Sequence, residues 1–112
     1  MLYNIFMDDK QKIPEQLKND ILNVLVKHLD LTKYSVFLFG SRAEGQAHAR
    51  SDFDVGIEGT EALPSKTLLS IEEDIEKIST LYTIQIVDFK RTSLVFNNIA
   101  KQYMVPMSFS IV

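Results

Sequence analysis

Residues 39–57 read F-G-S-R-A-E-G-Q-A-H-A-R-S-D-F-D-V-G-I. Upstream of the glycine, Y-S-V-F-L-F at 34–39 is an aromatic and β-branched run that stops at Gly40, which predicts a buried strand. Downstream, D-F-D-V-G-I-E at 52–58 alternates and predicts a second strand. Between them S-R-A-E-G-Q-A has room for about one helical turn before Gly45 interrupts it. Residues two apart share a strand face, so Asp52 and Asp54 project together while Phe53, Val55 and Ile57 turn to the core.

Two carboxylates held side by side repel, and a cation between them relieves the repulsion. The oxygen donors suit a hard ion, Mg²⁺ or Mn²⁺, which shares its remaining ligands with waters and substrate phosphates. Gly40 lets backbone approach a ligand closely, and Ser41 offers an N–H and a hydroxyl where a helical turn begins, a good place for an anion. Phosphate on one side and metal on the other define a nucleoside triphosphate site. The reaction that uses such a pair is in-line phosphoryl or nucleotidyl transfer.

Working outward, Leu17, Ile21, Val24, Leu25 and Leu29 recur at helical spacing after Pro14 and predict a helix over 14–29. His28 falls at its C-terminal end, where an imidazole suits the dipole. Leu63, Leu68, Ile71, Ile75 and Ile78 predict a second long helix over 64–79. Y-T-I-Q-I-V-D-F at 82–89 predicts a third strand, Ser93 caps a last helix that Pro106 ends, and M-S-F-S-I-V at 107–112 alternates like an edge strand. The order predicts an α/β fold of the α+β kind, a small mixed sheet backed by helices on one face, with the other face open for a site.

The 112 residues fit one domain, 1–112, and the 46% hydrophobic content suffices for a modest core. Twelve Lys and Arg against 15 Asp and Glu, net −3, argue against non-specific wrapping of nucleic acid, so no direct nucleic-acid binding is expected. Cysteine is absent, and no run reaches the roughly 18–20 apolar residues that span a bilayer. Both facts suit a cytoplasmic protein with no membrane partner.

Gly40-Ser41, ten intervening residues and Asp52-Phe53-Asp54 resemble the signature of the polymerase β nucleotidyltransferase superfamily, and G-S-R-A-E-G with S-D-F-D-V resembles its smallest branch, the minimal nucleotidyltransferases. The resemblance covers about 17–107 and implies a polymerase β palm-like fold. It implies that Gly40 and Ser41 bind the triphosphate and that Asp52 and Asp54 are catalytic and ligate Mg²⁺, two ions in all, with Mn²⁺ as a substitute. Arg42, one step into the turn, either lies near the phosphates or makes an ion pair. Glu44, Gln46 and His48 read as solvated loop residues, and Arg50 as a screen for the aspartates.

The resemblance also implies a third carboxylate on the third strand, where this sequence carries Gln85. Parity puts Thr83, Gln85 and Val87 on one face and Ile84, Ile86 and Asp88 on the other. Asp88 reaches the pair as a third catalytic ligand only if a bulge or a strand end near Val87 swings it round; otherwise it caps a turn or pairs with Lys90 or Arg91. The function implied is Mg²⁺-dependent transfer of AMP from ATP to a partner hydroxyl, the partner being a helical HEPN toxin and this chain its antitoxin, in a hetero-oligomer. Gln85 favours the alternative, a nucleotide-binding module without efficient transfer. The apolar M-L-Y-N-I-F start and S-F-S-I-V end are candidate partner surfaces.

Overall fold

Pro14 has the extended backbone of a helix start, and its carbonyl accepts from Lys18 N at 2.9 Å. The helix it opens, α1 (Glu15–His28), carries Glu15 in its first turn and Lys27 and His28 in its last, charges that suit the dipole. Its apolar stripe buries Leu17, Ile21, Leu22, Val24 and Leu25. The computed structural model describes residues 13–45 and 52–109; the expectations for Gln46, His48, Arg50, the M-L-Y-N-I-F start and the last three residues lie outside that range.

Strand β1 (Ser35–Phe39) runs into a one-turn helix α2 (Ser41–Glu44), which ends at Gly45 in the left-handed region, φ 79°. Strand β2 (Phe53–Glu58), helix α3 (Ser65–Glu76), strand β3 (Ile84–Asp88) and helix α4 (Leu94–Ala100) follow. Helix α3 stops short of the predicted 79 because Lys77 N and Ile78 N bond three residues back, tightening the last turn. Ser93 Oγ accepts from Phe96 N at 3.1 Å, the expected cap of α4. A 3₁₀ turn at Lys101–Tyr103 leads to a short strand β4 (Val105–Pro106).

The sheet order is β3-β2-β1-β4, with β2 and β3 parallel across α3 and the other pairs antiparallel. The expected mixed sheet is present. The edge strand is Val105–Pro106, and 107–109, the described part of the predicted one, is not strand; Val105 and Pro106 face Leu38 and Phe37, which suits a proline because the outer side needs no N–H.

Helices α1 and α3 cover one face, burying Val36, Leu38, Phe53, Val55, Ile57 and Ile86 beneath Ile21, Leu25, Ile71 and Ile75. Each such side chain contributes roughly 1.5–3 kcal/mol. The other face is less open than expected. Phe37, Phe39 and Phe89 pack edge to face there, 4.9–6.4 Å between centroids, and Phe96 of α4 joins them. Gly56 makes this possible, because a Cβ there would lie 2.4 Å from the Phe37 ring and 2.8 Å from that of Phe89. So α4 lies on the face opposite α1 and α3, and the open part of that face shrinks to the ends of β2 and β3 that carry Asp54 and Gln85.

Candidate active site

Asp54 sits second in β2, paired in register with Phe39 on one side and Gln85 on the other. Phe39 is the last residue of β1, so the Gly40 turn arrives beside the carboxylate. The approach is close: a Cβ on Gly40 would stand 2.4 Å from Asp54 Oδ2, and Gly40 has φ 76°. Only glycine satisfies both conditions. The sequence thus folds the G-S step directly against the second aspartate of D-F-D, and Ser41 opens α2 at that edge.

Asp54 is half-buried, and burial first, then the charge of Asp52, holds its pKa above the usual carboxylate range. Among the described residues no side chain donates a hydrogen bond to it. Asp52 accepts one, at 3.4 Å, from the Gln85 amide. The described residues contain no group of three or more His, Cys, Asp or Glu able to hold a metal. Asp52 and Asp54 therefore form a pair completed by a neutral amide.

Asp88 does not join them. It sits opposite Ile57 on the helix-covered side, 3% exposed. Its Oδ2 accepts from Leu63 N at 2.7 Å, its Oδ1 accepts from Lys90 N at 3.0 Å, and Arg91 Nε lies 3.7 Å away. Arg91 also donates to the Leu63 carbonyl and, at 3.2 Å, to Ser65 Oγ. β3 is regular, without the bulge that would have turned Asp88 round, so the expectation of a third catalytic ligand is corrected: Asp88 fastens the approach to α3.

Arg42 also departs from expectation. Its side chain is 2% exposed, with the guanidinium 4.0 Å above the Phe53 ring and 5.5 Å from that of Tyr82. It packs over the rings of Phe53 and Tyr82 and is buried instead of lying at the surface. Burial lowers its pKa, while Tyr82 and Asp52 pull it back up. Glu44 is exposed, as expected. Two contacts had no local sign in the sequence. One is the Phe53–Tyr82 edge contact at 5.0 Å; the other is the His28–Asp74 bond at 2.8 Å that joins α1 to α3.

A family model described as polymerase beta, nucleotidyltransferase matches residues 19–105. No curated protein matches the chain. Several solved structures share its fold. One, a toxin-antitoxin with AMP-PNP, is 19% identical with a TM-score of 0.64, covering 83% of this chain and 73% of that one. Another, a tri-AMPylated Shewanella oneidensis HEPN toxin in complex with MNT antitoxin, is 16% identical with a TM-score of 0.61, covering 85% and 71%. A third, from Shewanella oneidensis, is 11% identical with a TM-score of 0.64, covering 88% of this chain and 74% of that one.

Proposed function

The chain belongs to the polymerase β nucleotidyltransferase family, and from that premise we propose that it transfers AMP from ATP to a hydroxyl of a partner protein. The observation that carries this reading is the packing of Asp54 Oδ2 against the Cα of Gly40, a space that any Cβ would fill. It joins a backbone suited to phosphate with a carboxylate pair suited to a cation.

In this reading one domain, 1–112, does the following. The Gly40 and Ser41 backbone holds the triphosphate. Asp52 and Asp54 hold Mg²⁺, or Mn²⁺ in its place, and the half-buried charge of Asp54 beside Asp52 fits a cation shared with the phosphates. The chemistry such an ion supplies is neutralisation of charge on the triphosphate oxygens. With Gln85 beside them and no third acid among the described residues, the set suits one ion better than two. An acceptor oxygen bonds to the α-phosphorus, the α–β anhydride bond breaks, pyrophosphate leaves, and the hydroxyl proton passes to solvent or to an aspartate. A solved structure of like fold pairs an MNT antitoxin with a HEPN toxin, and this supports a HEPN-type partner, an antitoxin role and a hetero-oligomer, which we place in the cytoplasm as part of the same proposal.

A second reading has its own observation. Gln85 stands in register with Asp54 and donates to Asp52, so a neutral amide occupies the place of an expected anion. A site of this kind holds nucleotide better than it activates a hydroxyl, which makes the chain a binding module. Labelled ATP, Mg²⁺ and a HEPN-type partner decide between the two. Label on the partner that vanishes in Asp54→Asn supports transfer, and ATP binding without label supports the module.

A further inference from the structure

Arg42 lies next to the serine of the G-S step, yet its side chain runs away from the open edge and into the body of the protein. Its guanidinium carbon lies over the Phe53 ring, 4.0 Å from the centroid, a cation–π contact with a ring that has no exposed surface. Phe53 is the residue between the two aspartates. Tyr82, just ahead of β3, meets the Phe53 ring edge to face at 5.0 Å and the guanidinium at 5.5 Å. The backbone agrees with this arrangement, since Phe53 N donates to Thr83 O at 2.9 Å, tying the start of β2 to the entry of β3.

We infer that Arg42 is a positioning residue: its stack on Phe53 and Tyr82 clamps the G-S turn to the D-F-D strand and so sets the spacing between the phosphate-binding backbone and the two carboxylates. The inference rests on the proposed nucleotide site. Three physical points carry it. The turn is only four residues long, so its own hydrogen bonds, such as Glu44 N to Gly40 O at 3.0 Å, hold it weakly. A buried cation is costly unless its surroundings compensate, and two aromatic rings with Asp52 nearby do so here. The planar guanidinium stacks where an ammonium does not, which explains arginine over lysine.

The test compares Arg42→Lys, Phe53→Leu and the double variant, with Tyr82→Leu as a milder change at a half-exposed ring. In the unliganded protein, hydrogen exchange is read at the amides of residues 41–45. Faster exchange there in each variant, with α1 amides unchanged, is expected; turn protection equal to wild type in Arg42→Lys and Tyr82→Leu overturns the clamp. For Mg²⁺-ATP binding by calorimetry, each single variant is expected to weaken affinity about tenfold, with the double variant no worse than either. The dependence of affinity on salt should stay as in wild type. If instead Arg42→Lys alone weakens binding and flattens the salt dependence while Phe53→Leu binds normally, Arg42 is a phosphate ligand and the inference fails. If wild type binds no ATP, the nucleotide reading fails, and the exchange data still decide the clamp.

Discussion

Asp54 and Asp88 stand on neighbouring strands three positions apart in register, and the fold treats them in opposite ways. Asp88 is spent on structure: two backbone N–H groups and Arg91 surround its carboxylate, and it closes the chain ahead of α3. Asp54 is buried enough to feel desolvation and sits by a second acid, with no donor among the described residues. A charge that folding compensates costs little; one left uncompensated persists only where something outside the fold repays it. That asymmetry locates the site more firmly than the motif alone, because D-x-D records only which acids are adjacent in sequence.

The comparison breaks most visibly at Asp54→Asn. Partner labelling should fall on the order of 10³-fold, about 4 kcal/mol of lost transition-state stabilisation, as measured by initial rates of label transfer. The unliganded protein should meanwhile melt no lower than wild type. Equal labelling in the variant would mean that the uncompensated charge has no catalytic use. Asp88→Ala should do the reverse. Leaving Leu63 N–H buried without its acceptor, and Arg91 without its anion, costs about 3 kcal/mol in urea unfolding. Mg²⁺-ATP affinity should stay unchanged wherever the variant is folded. A stable Asp88→Ala protein that no longer binds nucleotide would return Asp88 to the site.

Gln85→Asp sharpens the same contrast from β3. It puts a third acid on the face of Asp52 and Asp54, replacing an amide that now donates to Asp52. Transfer should rise about tenfold, with Mg²⁺ needed at lower concentration in a rate titration. Unchanged transfer would show that Gln85 does not occupy a lost ligand position.

Strand parity was legible in the sequence, and it decided the outcome for Asp88: with Ile84 and Ile86 in the core, Asp88 had to follow them. The helical stripes and the two strands around the G-S step were legible for the same reason, since periodicity is local. Three features were not. Arg42 in a short turn looks like a phosphate contact, and only the tertiary path of the turn brings Phe53 beneath it. His28 and Asp74 are 46 residues apart, so their pairing depends on how α1 crosses α3. Helix α4 exposes Leu94, Val95 and Ile99, and its placement over the second face depends on the cluster built around Phe89, which no helical stripe announces.

The smallest effect is the most direct physical check, because Asp54 and Glu58 of one strand should respond to pH with opposite signs. Asp54 has a raised pKa in the fold, so the folded chain holds its proton more tightly than the unfolded chain does. Its contribution to stability therefore falls as pH rises from the ordinary aspartate range through the folded value, and the cost is fully present at neutral pH. Glu58 is lowered, first by its hydrogen bond to Lys101 at 2.6 Å, against desolvation, with Lys90 assisting at 3.4 Å. Its contribution is present above the ordinary glutamate range and is lost as pH falls through the folded value. Melting temperatures from pH 3 to 8 should then show Asp54→Asn above wild type at pH 7 and Glu58→Gln below it, both differences shrinking toward acid. Mg²⁺ should raise wild type at pH 7 and leave Asp54→Asn unmoved, since a cation bound there relieves the charge that the substitution removes. Differences of the same sign for the two variants, or a Mg²⁺ response that survives Asp54→Asn, would place the uncompensated charge somewhere other than beside Gly40.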